Sequence, residues 1–266
     1  MWETDEQPPA PGEPIGVAPG VVGLLAPNAN EWTFEGTNSY LVAGSRGAVI
    51  VDPGPDDEAH LDRIDQLLRA AGVRVTDVLL THHHGDHAHA ARAAATRWGA
   101  VVRPRVHAGV IADGTTLDLG GVEVRAVRTP GHTADGVSFV VPQHRLVLAG
   151  DTVLARVNPY IHHPDGTVDD MLRSMRRLAG LVDDDWALLP GHGPLVRTPR
   201  TFLDRRVADR HRRIEQVAAL LRDGVPREGV AEVVYSRATG GRLRAARASV
   251  DAILHYLDSR AETPAC

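Results

Sequence analysis

The sequence predicts a layered fold of strands and helices, α/β or α+β in class, ending in a small helical module. Three observations carry that reading. Short Val- and Leu-rich runs closed by Gly, Asp or Asn alternate with stretches whose apolar residues recur at helical spacing. The strand-like runs cease after Pro199, and only helical periodicity follows. No internal repeat of solenoid period is present, so the layers belong to a domain with its own core.

The elements follow in order. Residues 1–16 are acidic and Pro-rich and read as a disordered tail, because such a composition cannot bury a core. From Val17 the apolar runs begin. Ala48–Asp52, Asp77–Thr81, Val122–Val127, Gly136–Val141, Arg145–Ala149 and Trp186–Leu189 each read as a buried strand. Between them, Asp56 is positioned to cap a helix with Leu61, Ile64, Leu67 and Leu68 on one face, and Gly72 stops it. Ala88–Trp98 and Val168–Leu181 are further helices. Leu203–Leu221, a shorter piece around Glu228–Tyr235, and Leu243–Leu257 form the C-terminal module. The expected boundaries are a core over 17–200, the module over 201–260 and a short tail over 261–266.

Composition narrows the function classes. A chain of 266 residues with 43% hydrophobic and 24% charged content can bury a sizeable core without staples. No apolar run approaches the ~20 residues needed to span a bilayer, so no membrane role is expected. The N-terminal stretch has neither the basic nor the apolar region of a secretory signal. Cys266 is the only cysteine, which excludes a disulfide framework within the chain and suits a cytoplasmic location. All 29 basic residues are arginine, as a GC-rich genome would favour. The net charge is −5, yet residues 204–260 hold 12 Arg against 8 Asp and Glu, so a mildly basic module follows an acidic core.

The 14 histidines carry the chemistry. Thr81-His82-His83-His84-Gly85-Asp86-His87 closes the apolar run Val78–Leu80, where a strand gives way to a loop. Alternate residues of an extended segment face the same way, so His82 and His84 can share one ion, and Asp86 and His87 can turn toward a second beyond Gly85. Four ligand-type residues in six positions would be costly to bury without a metal. Three further candidates each follow a strand in a turn setting: His132 in Thr-Pro-Gly-His-Thr, Asp151 in Leu-Ala-Gly-Asp-Thr, and His192 in Leu-Pro-Gly-His-Gly. His83, His89, His107, His162 and His163 have no spacing argument, and surface or loop-lining roles are expected of them.

With these motifs in this order, the sequence resembles the metallo-β-lactamase superfamily over roughly Val17 to Arg197. His82, His84, Asp86 and His87 match its His-x-His-x-Asp-His motif, and Asp52, His132, Asp151 and His192 match its other motifs. The resemblance implies a four-layer αβ/βα sandwich with two Zn²⁺ per chain at one edge. It implies that His82, His84 and His132 hold one zinc, that Asp86, His87 and His192 hold the second, and that Asp151 bridges. Asp52 would orient the ligands. Zinc brings the pKa of bound water to about 7, so a metal-bound hydroxide would serve as nucleophile in a hydrolase. Asp86 and Asp151 would be the catalytic carboxylates.

For the substrate, the closest resemblance is to the β-lactamase-like endoribonucleases, whose mitochondrial members cut single-stranded RNA. Phe34-Glu35-Gly36-Thr37-Asn38-Ser39-Tyr40, Pro190-Gly191-His192-Gly193-Pro194 and the arginine-rich, winged-helix-like module carry it. Arg242, Arg244 and Arg247 would be the phosphate contacts. The alternative is a thioesterase similar to hydroxyacylglutathione hydrolases, acting on small acyl thioesters, with Tyr160 and His162 lining the substrate. An apolar groove near Tyr160 and Ile161 would favour the thioester, and arginines around the metal edge the RNA. A non-hydrolytic metal sensor or redox protein is the reading from another class, and a homodimer is compatible with the sequence.

Overall fold

The computed structural model of the chain describes residues 3, 6–104 and 110–261. His107 and Cys266 lie outside the described residues. Two six-stranded sheets pack face to face with helices on both outer faces, an α+β sandwich layered αβ/βα.

The first sheet runs in chain order through β1 (Pro14–Ala18), β2 (Val21–Leu25), β3 (Asn38–Gly44), β4 (Gly47–Val51), β5 (Val75–Leu79) and β6 (Val101–Arg103). Its first four strands are antiparallel. The last pairings, β4 with β5 and β5 with β6, are parallel. Helix α1 (Glu58–Ala71) makes the first crossover, and α2 (Gly85–Ala88) with α3 (Ala91–Trp98) makes the second. The second sheet comprises β7 (Thr116–Asp118), β8 (Glu123–Arg128), β9 (Val137–Val141), β10 (Leu146–Gly150), β11 (Ala187–Pro190) and β12 (Val196–Arg197). It is antiparallel apart from β10 and β11, which are joined through α4 (Val168–Ala179). Helices α5 (Pro199–Arg222), α6 (Val230–Val234) and α7 (Gly240–Ala261) complete the chain. No helix among the described residues is long and apolar enough to cross a membrane.

Strand periodicity explains the layering. Side chains alternate faces along a strand. Tyr40, Val42, Val49 and Val51 therefore face Phe139, Val141, Leu146 and Leu148 between the sheets. Leu41 and Ile50 point outward onto Leu61, Ile64 and Leu68 of α1. Each such side chain taken from water contributes about 1.5–3 kcal/mol. On the far side, Val140, Val147 and Leu188 meet Met171, Met175 and Leu178 of α4.

Several expected boundaries shift. The tail expected over 1–16 ends earlier, because β1 begins at Pro14 and pairs with β2, its short apolar register outweighing the flanking prolines. Asp57, not Asp56, caps α1: its carboxylate accepts the His60 N–H at 2.7 Å. The stretch expected as one helix over Ala88–Trp98 breaks at His89 and Ala90, so that α2 can carry Asp86 and His87 inward. The C-terminal module is wholly helical among the described residues, but its core is shared. Leu203, Ile214, Val217, Val250 and Ile253 belong to the same buried cluster as Met171 and Leu178.

The parallel pairs position the site. The C-terminal ends of β4, β5, β10 and β11 open on one edge, where the sheets are stitched together. The Asn38 N–H donates to the Gly191 carbonyl (2.8 Å), the Val137 N–H to that of Thr81 (2.8 Å), and the Tyr40 hydroxyl to that of Pro190 (2.6 Å).

Candidate metal centre

All seven residues expected as metal ligands come together at that edge. His82 and His84 leave the end of β5, Asp86 and His87 sit on α2, His132 follows β8, Asp151 follows β10, and His192 follows β11. Three sets of donor atoms each lie within 4.8 Å of one another: His82, His84 and His132; Asp86, His87 and His192; and His82, His87 and Asp151. Asp151 thus belongs between the two clusters, with one oxygen 3.6 Å from His87 Nε2 and the other 3.5 Å from His192 Nε2 and 3.9 Å from His132 Nε2.

The surrounding residues aim the imidazoles. Asp52 Oδ2 takes the His87 Nδ1–H at 2.8 Å, leaving Nε2 to face the site. The same carboxylate accepts the Thr81 N–H at 2.8 Å and the Thr81 hydroxyl at 2.6 Å. Thr81 Oγ1 lies 3.1 Å from His82 Nδ1. The Tyr160 carbonyl lies 2.7 Å from His132 Nδ1, and the Gly36 carbonyl 3.1 Å from His192 Nδ1. Each imidazole so held presents its other nitrogen to the centre in a fixed orientation, as metal-ligating histidines require. Asp52 adopts φ 51°, the left-handed region that few non-glycine residues enter.

The donor set fits a pair of divalent cations. Facing imidazole nitrogens approach to 3.0 Å (His82 and His84), 3.1 Å (His84 and His132) and 3.1 Å (His87 and His192). Lone pairs that converge so closely repel unless a cation or proton lies among them. The buried Asp151 Oδ1 has no hydrogen-bond partner among the described residues, a cost that coordination would remove. Burial, then the charge of neighbouring histidines, keeps His82 and His132 well below the usual imidazole range. Burial and His162 bring His84 to about 4. These three rings are neutral and offer lone pairs. Burial disfavours charge on His87 too, yet Asp52 and Asp151 raise it to about 10. Burial likewise opposes ionisation of Asp86, but His192 and His87 hold it well below the usual carboxylate range.

Above the donors lies a cleft of about 670 Å³. Tyr160 and His162, expected to line the substrate, both line it. Ile161 does not, being buried beneath the loop. His162 packs its ring 4.6 Å from that of His84 and 4.9 Å from that of His132. Sequence reasoning missed Trp32, Phe34, Arg210, Arg213 and Tyr235 in the walls. His83 and His89 are exposed, and His163 packs 5.3 Å from His255, as loop and surface residues do.

A family model described as the metallo-beta-lactamase superfamily matches residues 32–115 and 102–192. A lactamase-like protein of Pestalotiopsis microspora is 29% identical over 212 residues, 77% of this chain and 64% of the relative. An atrochrysone carboxyl ACP thioesterase of Passalora fulva is 28% identical over 215 residues, 77% of this chain and 62% of the relative. The chain therefore spans less than two thirds of the length of these fungal proteins. Among solved structures, a metallo-beta-lactamase family protein from Thermus thermophilus superposes with a TM-score of 0.76 at 24% identity, covering 92% of this chain and 95% of that one. A beta-lactamase domain protein from Burkholderia ambifaria gives 0.81 at 21% identity, covering 97% and 91%.

Proposed function

The chain belongs to the metallo-β-lactamase superfamily of metal-dependent hydrolases, and from that premise we propose that it hydrolyses acyl thioesters with two zinc ions. His82, His84 and His132 would hold one ion, Asp86, His87 and His192 the other, and Asp151 would bridge. Bound there, the ions would supply Lewis acidity toward the carbonyl and a water acidic enough to attack near neutral pH.

The observation that carries this reading is the cleft. Its wall holds Trp32, Phe34, Leu154, Val157, Pro159 and Tyr160, and the rings of Trp32 and Tyr160 meet edge to face at 5.9 Å. Such a wall takes up an acyl chain or ring and excludes bulk water from the reacting bond. Polynucleotide binding instead requires free cations along an open face. Two of the three arginines expected as phosphate contacts are engaged, Arg242 with Glu31 at 3.2 Å and Arg247 with Glu232. Arg210 and Arg213 in the cleft have no carboxylate partner among the described residues, so the preference for the thioester over RNA rests on the apolar wall. The thioesterase name of the Passalora fulva relative points the same way.

The chain's own residues do the positioning. Asp52 and the Gly36 and Tyr160 carbonyls fix three imidazoles. Both carboxylates line the cleft, and Asp86, with 30% of its side chain exposed against 11% for Asp151, is the more open of the two and can hold the attacking water by a hydrogen bond.

The test is hydrolysis of an acyl-pantetheine thioester by zinc-loaded protein, run beside end-labelled single-stranded RNA, with Asp151→Ala purified identically. Thioester cleavage that disappears in the variant is expected. RNA cutting that depends on Asp151, with the thioester left intact, would replace this reading with the ribonuclease.

A further inference from the structure

A charge stands where an apolar residue belongs. Along α5 the core-facing stripe runs Leu203, Val207, Arg210, Ile214, Val217, at alternating steps of four and three, with Val207 partly buried and the others buried. Arg210 occupies the central position and is only 8% exposed. Its Nη2 donates to the Pro159 carbonyl, while Nε is buried with no partner and Nη1 makes no hydrogen bond among the described residues. No carboxylate lies within ion-pair distance of it among the described residues. The adjacent Asp209 is held by Arg206 and Arg212 instead. Tyr235 and Asp209 favour its charge only from beyond ion-pair distance, so this buried guanidinium lacks the opposite charge in contact that would offset its desolvation.

Arg210 lines the same cleft as the metal donors, and so does Arg213 one turn along. Arg213 lies half-buried with its guanidinium 4.7 Å above the ring of Tyr235, and likewise has no carboxylate partner among the described residues. Burial brings Arg210 down to about 10, so it still carries its charge at neutral pH.

We propose that Arg210, with Arg213 beside it, forms an anion subsite that binds a carboxylate or phosphate carried by the substrate. The missing counter-charge arrives with the ligand, which makes a fork of donors to a planar or tetrahedral anion the natural use of these guanidinium groups. The identity of that substrate as a thioester rests on the reading above; the subsite itself does not. The anion has two sources, an acid on the acyl group or the phosphate of a phosphopantetheine arm.

Three aryl thioesters separate them: a neutral acyl group on pantetheine, the same group bearing a ring carboxylate, and the neutral group on 4′-phosphopantetheine. Arg210→Gln is expected to lower kcat/KM for one charged thioester, relative to the neutral one, by about tenfold or more, the scale of one lost charge-assisted hydrogen bond. A relative loss on the ring carboxylate assigns the acyl acid, and one on the phosphate assigns the carrier arm. Equal change on all three overturns the subsite. Arg213→Gln, at a half-exposed position, repeats the test if Arg210→Gln folds poorly. If the zinc-loaded wild type cleaves none of the three, the thioester reading fails and calorimetry with benzene-1,2-dicarboxylate and inorganic phosphate decides the subsite. Binding of either weakened about tenfold in a variant upholds it, and equal binding by wild type and variants sinks it.

Discussion

Asp52 Oδ2 lies 2.8 Å from His87 Nδ1, and the side chains are 2% and 0% exposed. The same carboxylate holds the backbone and hydroxyl of Thr81, immediately before His82. One buried charge therefore sets the direction of imidazoles in both donor clusters.

Replacing Asp52 by Asn keeps the shape and removes that charge. Loss of an orienting carboxylate behind a ligating histidine typically costs about 10–100-fold in metal affinity. Asp52→Asn should fall in that range when zinc is competed against a chromogenic chelator. An unchanged affinity would mean that the packing around Thr81 and His87, and not the charge, sets their directions.

Gly191 is constrained by close approach. A Cβ there would stand 2.5 Å from Asp151 Oδ1 and 2.5 Å from His87 Cε1, well inside contact distance. Gly191→Ala should push Asp151 or His87 out of place and lower the zinc bound per chain, measured by elemental analysis after dialysis. The fold should survive, because the 190–193 turn is also held by Asn38 Nδ2 on the Pro190 and Gly193 carbonyls. Full zinc content in Gly191→Ala would refute the account.

His60 gives a pH dependence outside the ligand set. Buried beneath the site, its Nε2 lies 2.9 Å from the Ser39 hydroxyl, which donates to the Asp52 carbonyl. Burial lowers its pKa to about 4, against an unfolded value near 6.5. The folded chain holds this ring neutral while the unfolded chain protonates it. The associated stability is therefore complete above pH ~6.5 and lost as pH falls toward 4, by up to about 3 kcal/mol. Urea unfolding at pH 7.5 and 4.5 should show a larger acid loss in wild type than in His60→Gln. The candidate metal donors are common to both proteins, so the difference isolates His60, and parallel losses would count against a neutral buried ring.

Much of this centre is legible in the sequence because its donors are dense and each follows a strand end. His82, His84, Asp86 and His87 fall within six residues, and Gly191 and His192 close an apolar run. What is not legible is carried by backbone or by distant packing. The Tyr160 and Gly36 carbonyls orient His132 and His192, yet any residue type supplies a carbonyl. The edge strand β1 is hidden among prolines, since its pairing with β2 is a tertiary fact that local propensity does not encode. Arg210 is a different case. Its charge within the Leu203–Val217 stripe is visible in the sequence, but it is masked by the many other arginines of the same segment.

The shared core also bears on whether the helical module is separable. Val217, Val250 and Leu203 are each no more than 1% exposed, and they pack into the cluster that includes Met171 and Leu178 on α4. Ser249 on α7 adds a polar tie: the Ile161 N–H donates to Ser249 Oγ at 3.0 Å, fixing the loop that carries Tyr160 and His162. A chain ending at Thr198 would expose the outer face of α4 and lose the Arg210, Arg213 and Tyr235 wall of the cleft. Apolar faces of that extent drive association once uncovered. The truncated protein should aggregate or bind a hydrophobic dye, and its unfolding transition should broaden or vanish. A monomeric truncation with a sharp cooperative transition would show instead that residues 17–200 fold alone and that the helices are an accessory layer.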